Sequence, residues 1–117
     1  MSIDVFTYRG IEISAESLAM GATAESISAG GGTIPSNVGA IKFFVPAGDS
    51  VHFTYEGGPD PTSTTGHAVA ASTWGFIPAG KTASKIISDD ASDVSLIIVY
   101  ERGAGRADNG GSVSEPR

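Results

Sequence analysis

The sequence contains two histidines, His52 and His67, and a tight acidic cluster of Asp89, Asp90 and Asp93. A histidine base supports nucleophilic catalysis when a Ser or Thr stands beside it and a third group orients its ring. The chain has 15 Ser residues, placed mostly in turn-like segments, and no nucleophile elbow. His52 lies on the polar side of an alternating run and His67 follows a loop, so both read as solvated or hydrogen-bonded strand residues. The aspartates have the chemistry of a calcium loop, because hard cations gather several carboxylate oxygens. They lack the glycine and the distal glutamate of an EF-hand, and Asp and Ser are ordinary turn residues, so the cluster reads as a structural turn. Gly30-Gly31-Gly32 lacks the Lys-Ser/Thr of a phosphate loop, and no helical pattern follows Gly103-Ala104-Gly105. The expectation is a chain with no catalytic residue, no metal site and no cofactor.

Binding chemistry is better represented. Trp74 and Phe76 stand beside a Pro/Gly turn, and such an aromatic pair, if exposed, stacks on a sugar or anchors a protein interface. The competing reading is that they fill a small core in a chain with nine aromatics. Val94 to Tyr100 is the most hydrophobic stretch and is apolar on both faces, the pattern of a strand central between layers or half covered by a neighbouring subunit. Tyr55, Trp74, Phe76, Ile97 and Val99 are therefore the candidate contact residues.

These residues need strands to carry them. Of 117 residues, 16 are Gly and 6 Pro, with 11 Ile and 8 Val against 2 Leu. Gly, Pro and β-branched residues disfavour helix, while Ile and Val favour strands and Gly and Pro favour turns. Alternation marks strands at Ile3 to Tyr8, Ile11 to Ile13, Ala40 to Val45 and Val51 to Tyr55. The last two, joined by Pro46-Ala47-Gly48-Asp49, read as a β-hairpin. Ser14 to Met20 reads as a short helical turn capped by Ser14. The triple glycine reads as a flexible loop and residues 57–66 as a long exposed one. Further strands are expected at His67 to Ala71, Trp74 to Ile77, Ala83 to Ser88 and Val94 to Tyr100. Pro78-Ala79-Gly80 repeats Pro46-Ala47-Gly48, which is repeated use of a good turn. The whole predicts an all-β, single-domain β-sandwich of jelly-roll type. Residues 1–39 supply N-terminal strands and a glycine-rich linker or arm, 40–102 the sandwich core, and 103–117 a disordered tail.

Composition also excludes partners. The net charge is −6 with only seven scattered basic residues, which argues against nucleic acid. Absence of Cys rules out a disulfide scaffold and thiolate chemistry. The start has no basic and apolar leader pattern and no apolar run approaches 18 residues, so a cytoplasmic origin without a membrane anchor is expected. With Leu, Ile, Val and Phe at 26 of 117 residues, the core is modest and subunit contacts would add stability.

From Ala40 to Glu101 the chain resembles small virion proteins of tailed bacteriophages. The resemblance rests on Ile41-Lys42-Phe43-Phe44-Val45, the loop from Tyr55 through Gly57-Gly58-Pro59-Asp60-Pro61-Thr62-Ser63-Thr64-Thr65-Gly66 to His67, the segment Trp74-Gly75-Phe76-Ile77, and the closing strand Val94 to Tyr100. It departs from the pattern in the Gly-Gly-Pro insertion, and residues 1–39 fall outside it. The resemblance implies a capsid decoration or cement protein on the virion surface, made in the host cytoplasm. It further implies a homotrimer that binds the major capsid protein and stabilises the head. A carbohydrate- or receptor-binding module of a phage tail or fibre is the alternative. A jelly-roll enzyme would need a metal or base constellation that two separated histidines do not supply.

Overall fold

The computed structural model describes residues 10–103. Eight strands run β1 Gly10–Met20, β2 Glu25–Ser26, β3 Ala40–Phe44, β4 Val51–Thr54, β5 His67–Val69, β6 Trp74–Pro78, β7 Lys85–Ser88 and β8 Val94–Gly103. They form two four-stranded antiparallel sheets, ordered β1-β8-β3-β6 and β2-β7-β4-β5. The predicted all-β sandwich is thus the observed architecture, and its strand order is that of a jelly roll. The pairs β1/β8, β2/β7, β3/β6 and β4/β5 are nested, like one long hairpin folded over itself with its tip at residues 55–66. Only the β4 to β5 connection stays within one sheet; every other connection crosses between them.

That topology corrects the hairpin reading of Ala40 to Tyr55. β3 and β4 lie in different sheets, and Pro46 to Ser50 carries the chain across the sandwich instead of folding β4 beside β3. The alternation of Ile41, Phe43, Val45, Val51 and Phe53 is real, but it marks two strands that send apolar side chains into one core from opposite layers. Val45 bonds the facing turn: Ser72 N–H donates to its carbonyl at 2.7 Å, and Val45 N–H donates to the Thr73 carbonyl at 3.0 Å. Ser72 adopts a left-handed φ of 61° there.

The helical reading of Ser14 to Met20 is also overturned. This segment continues β1, with Ser14 to Met20 in register against Tyr100 to Val94. Leu18 and Met20 alternate into the core, and pairing along an apolar partner strand outweighs the weak local preference for a helical turn. A bulge between Glu12 and Ser14 resets the register. The triple glycine is an ordered turn: Gly30, Gly31 and Gly32 N–H groups donate to the Ser26, Ser28 and Ile27 carbonyls. Gly31, at φ 101°, takes a conformation that a side chain would strain. Residues 10–39 supply fully buried Met20 and Ile27 to the same core as the later strands. The expected strand at Ile3 to Tyr8 and the expected tail beyond Gly103 lie outside the described residues; Gly103 itself closes β8.

The interior is filled. Met20, Ile27, Ile41, Phe43, Val45, Val51, Ile77, Ile86, Leu96 and Ile98 are fully buried, and Phe43 meets Phe53 edge to face with ring centroids 5.4 Å apart. Buried Ser84 and Ser88 are both hydrogen-bonded: Ser84 Oγ donates to the Lys81 carbonyl and Ser88 Oγ to the Ser92 carbonyl. Gly75 pairs directly with Phe43, whose ring lies over it; a Cβ at Gly75 would stand 2.1 Å from Phe43 Cζ.

Gly75→Ala therefore forces the Phe43 ring out of its place and should destabilise the fold by about 1–3 kcal/mol. Each kcal/mol lowers Tm by about 4–8 °C in a domain of this size. Gly80→Ala, which meets open space, should leave stability within about 0.5 kcal/mol of the parent by thermal unfolding.

Candidate functional site

The first sheet has one face in the core and one face outward. Strand parity puts Leu96, Ile98 and Tyr100 of β8 inside and Ser95, Ile97 and Val99 outside. Register then aligns the outward residues in rows across the sheet. Trp74 of β6, Phe44 of β3, Ile97 of β8 and Ser17 of β1 form one row. Phe76, Lys42, Val99 and Ala15 form the next. Trp74 is 53% exposed, Ile97 48% and Phe76 38%, and the Trp74 and Phe44 ring centroids are 5.1 Å apart at 56°. Isolated exposed apolar residues are common, whereas a contiguous set across three strands is a candidate contact surface.

Four of the five candidate residues, Trp74, Phe76, Ile97 and Val99, are brought together on this face. Tyr55 is not among them. It follows β4, stacks near Phe53 and His67 at centroid distances of 5.4 and 5.3 Å, and donates its hydroxyl to the Phe76 carbonyl at 3.4 Å. Its place is beside the edge formed by β5 and β6. Sequence reasoning missed Phe44 and Lys42 as members of the face, although the parity opposite Ile41 and Phe43 already marked them. Among the described residues the face carries one ion pair: Lys42 Nζ lies 3.5 Å from Glu101 Oε1, and that buried oxygen has no hydrogen bond.

The residues that raised catalytic questions are engaged structurally. Asp89 Oδ1 accepts from His52 Nδ1 at 2.6 Å, and Asp89 Oδ2 accepts from Ser50 Oγ at 2.6 Å. Both partners of the carboxylate are donors to it. The Ser50 hydroxyl is therefore committed to Asp89 and does not stand as a nucleophile donating to the imidazole. This cluster ties the turn after β7 to β4, and Asp89 N–H adds a bond to the Ser50 carbonyl at 3.1 Å. Among the described residues no three His, Cys, Asp or Glu side chains converge as a metal site would require. Asp89 is turned to Ser50 and His52, while Asp93 Oδ1 lies beside Gly21.

A second buried polar contact fixes the glycine turn. Tyr100, nearly fully buried, donates its hydroxyl to Glu16 Oε2 at 2.5 Å, and Thr33 N–H donates to the same oxygen at 2.8 Å. Burial, then the hydrogen bond and charge of Glu16, push the phenol well above its ordinary value of 10.0. In the loop from Gly57 to Gly66, Thr62 accepts from the Thr64 and Thr65 N–H groups, so the segment is exposed but internally bonded.

No family model, no curated protein and no solved structure matches the chain.

The Tyr100 phenol is harder to ionise folded than unfolded, so its contribution to stability is whole below pH 10.0 and falls as pH rises past that value. Phenolate absorbance from Tyr100 should appear only together with unfolding. Tyr100→Phe should lose about 1.5–3 kcal/mol of stability at neutral pH. Its alkaline denaturation limb should also be flatter than the parent's, as read by circular dichroism.

Proposed function

We propose that this chain is a structural subunit of a tailed-bacteriophage virion, of the capsid decoration type. It binds the outer surface of the major capsid protein lattice and strengthens the head by bridging neighbouring capsid proteins. The observation that carries this reading is the outer face of the first sheet, where Trp74, Phe44, Phe76, Ile97 and Val99 present apolar surface to a partner. Two considerations support it. Ala40 to Glu101 resembles small virion proteins, and the jelly-roll order is one that viral capsid domains use, an analogy at the level of fold alone.

The same fold serves lectins, so the sugar-binding reading has to be weighed on the site. Trp74 and Phe44 are tilted by 56° and make no flat stacking platform. Lys42 and Glu101 are the charged side chains at the centre of the face, and they are engaged with each other. A sugar needs several hydrogen-bonding groups around its stacking ring, whereas an apolar protein partner does not.

Purified chain added to heads that lack it should appear as ordered density on the capsid exterior by electron cryomicroscopy, and should raise the temperature of head rupture. Absence of density with unchanged rupture would contradict the proposal. Glycan-array binding that is lost in Trp74→Ala would favour the tail or fibre module instead.

A further inference from the structure

Building on the reading of this outer face as a protein contact, we infer that in the free protein, before a capsid takes the face, a second copy of the same chain covers it, packed face to face about a two-fold axis. The face is graded in size from one edge to the other. Outward residues are aromatic on β6 (Trp74, Phe76), mixed on β3 (Phe44, Lys42), aliphatic on β8 (Ile97, Val99) and small on β1 (Ala15, Ser17, Ala19). The β1 residues are all exposed. A two-fold axis lying in the interface parallel to the strands, between β3 and β8, reverses this order in the second copy. It sets the bulky β6 of each copy over the small β1 of the other, and β3 over β8. A surface that is convex at one edge and flat at the other thereby fits itself, as an isologous contact must.

Charge follows the same operation. Lys42 on β3 and Glu101 on β8 are one row apart on adjacent strands. The axis between those strands carries each Lys42 to the partner's β8, one row from its carboxylate. Within one chain this pair is incomplete: the nitrogen to oxygen distance is 3.5 Å, Lys42 is 37% exposed, and Glu101, 12% exposed, keeps an oxygen with no hydrogen bond. Lys42 and Glu101 of the two copies alternate around the axis, so each carboxylate gains a second ammonium. A chain of net charge −6 repels its own copy, and the Lys42–Glu101 pairs bring no net charge to the centre of the contact, with Glu12 of β1 at its margin beside Glu101. One two-fold contact gives a dimer in place of the homotrimer that the virion-protein resemblance implies.

The test needs no phage particles, so its outcome is separate from that of decoration. Light scattering and sedimentation of the full chain should give a dimer that dissociates on dilution. Lys42→Glu and Glu101→Lys should each weaken self-association by about tenfold or more, through like charges placed opposite one another. Mixing the two variants should restore a one-to-one dimer, which a pair acting only within one chain would not do. Ala15→Arg, at an exposed position that the partner's Phe76 would cover, should give a monomer with unchanged Tm. The inference is overturned by a parent chain that is monomeric at all concentrations or trimeric. It is equally overturned by folded charge variants that fail to associate when mixed, or by an Ala15→Arg chain that still dimerises.

Discussion

The structure depends on the placement of one strand that is apolar on both sides. β8 lies between β1 and β3 for most of its length, so its inward residues, Val94, Leu96, Ile98 and Tyr100, meet the opposite sheet across the core. Burying such side chains contributes about 1.5–3 kcal/mol each, which makes this strand a principal source of cohesion. Its outward residues then have no second layer to cover them, and Ile97 remains nearly half exposed. The central position that secures the fold is thus also what places apolar surface on the outside.

The neighbouring strands inherit that arrangement. β3 brings Phe44 out beside Ile97 because Phe43 must point in over Gly75, and β6 brings out Trp74 and Phe76 for the same reason of parity. Because paired strands lie far apart in sequence, the crossings between sheets need local ties. Asp89 supplies one by holding Ser50 and His52, and Glu16 supplies another by holding Tyr100 and Thr33. Both carboxylates fasten turns of a wrapped ribbon. Their hydrogen bonds close turns in a fold whose contacts are mostly long-range.

Much of this was legible in the sequence. Alternation located β3 and β4 closely, because a half-buried strand writes its burial in a period of two, while apolar and aromatic runs between turns located β5, β6, β7 and β8. Alternation could not say which strands are neighbours. Pro46 to Asp49 looks like a hairpin turn whether it folds β4 beside β3 or sends it to the other sheet, and that choice is made by packing across the core. The error at Ser14 to Met20 has a similar origin: Ser, Ala and Glu carry little strand preference of their own, and the long partner β8 imposed the extended form. Of the residues on the outward face, Trp74, Phe76, Ile97 and Val99 were singled out by their apolar character. Phe44 and Lys42 were passed over because their role comes from the rows that the register builds across three strands.

The central claim is that the outer face of the first sheet is a protein contact surface. Trp74, the sole tryptophan of the sequence, stands at the β6 edge of it and is more than half exposed in the single chain. The fluorescence emission of that one residue, followed over a dilution series, reports the state of the face directly. The account predicts a blue-shifted maximum at high concentration that moves to the red, toward that of water-exposed indole, as the chain is diluted. An emission maximum at the water-exposed position at every concentration, unchanged when capsids are added, would contradict it.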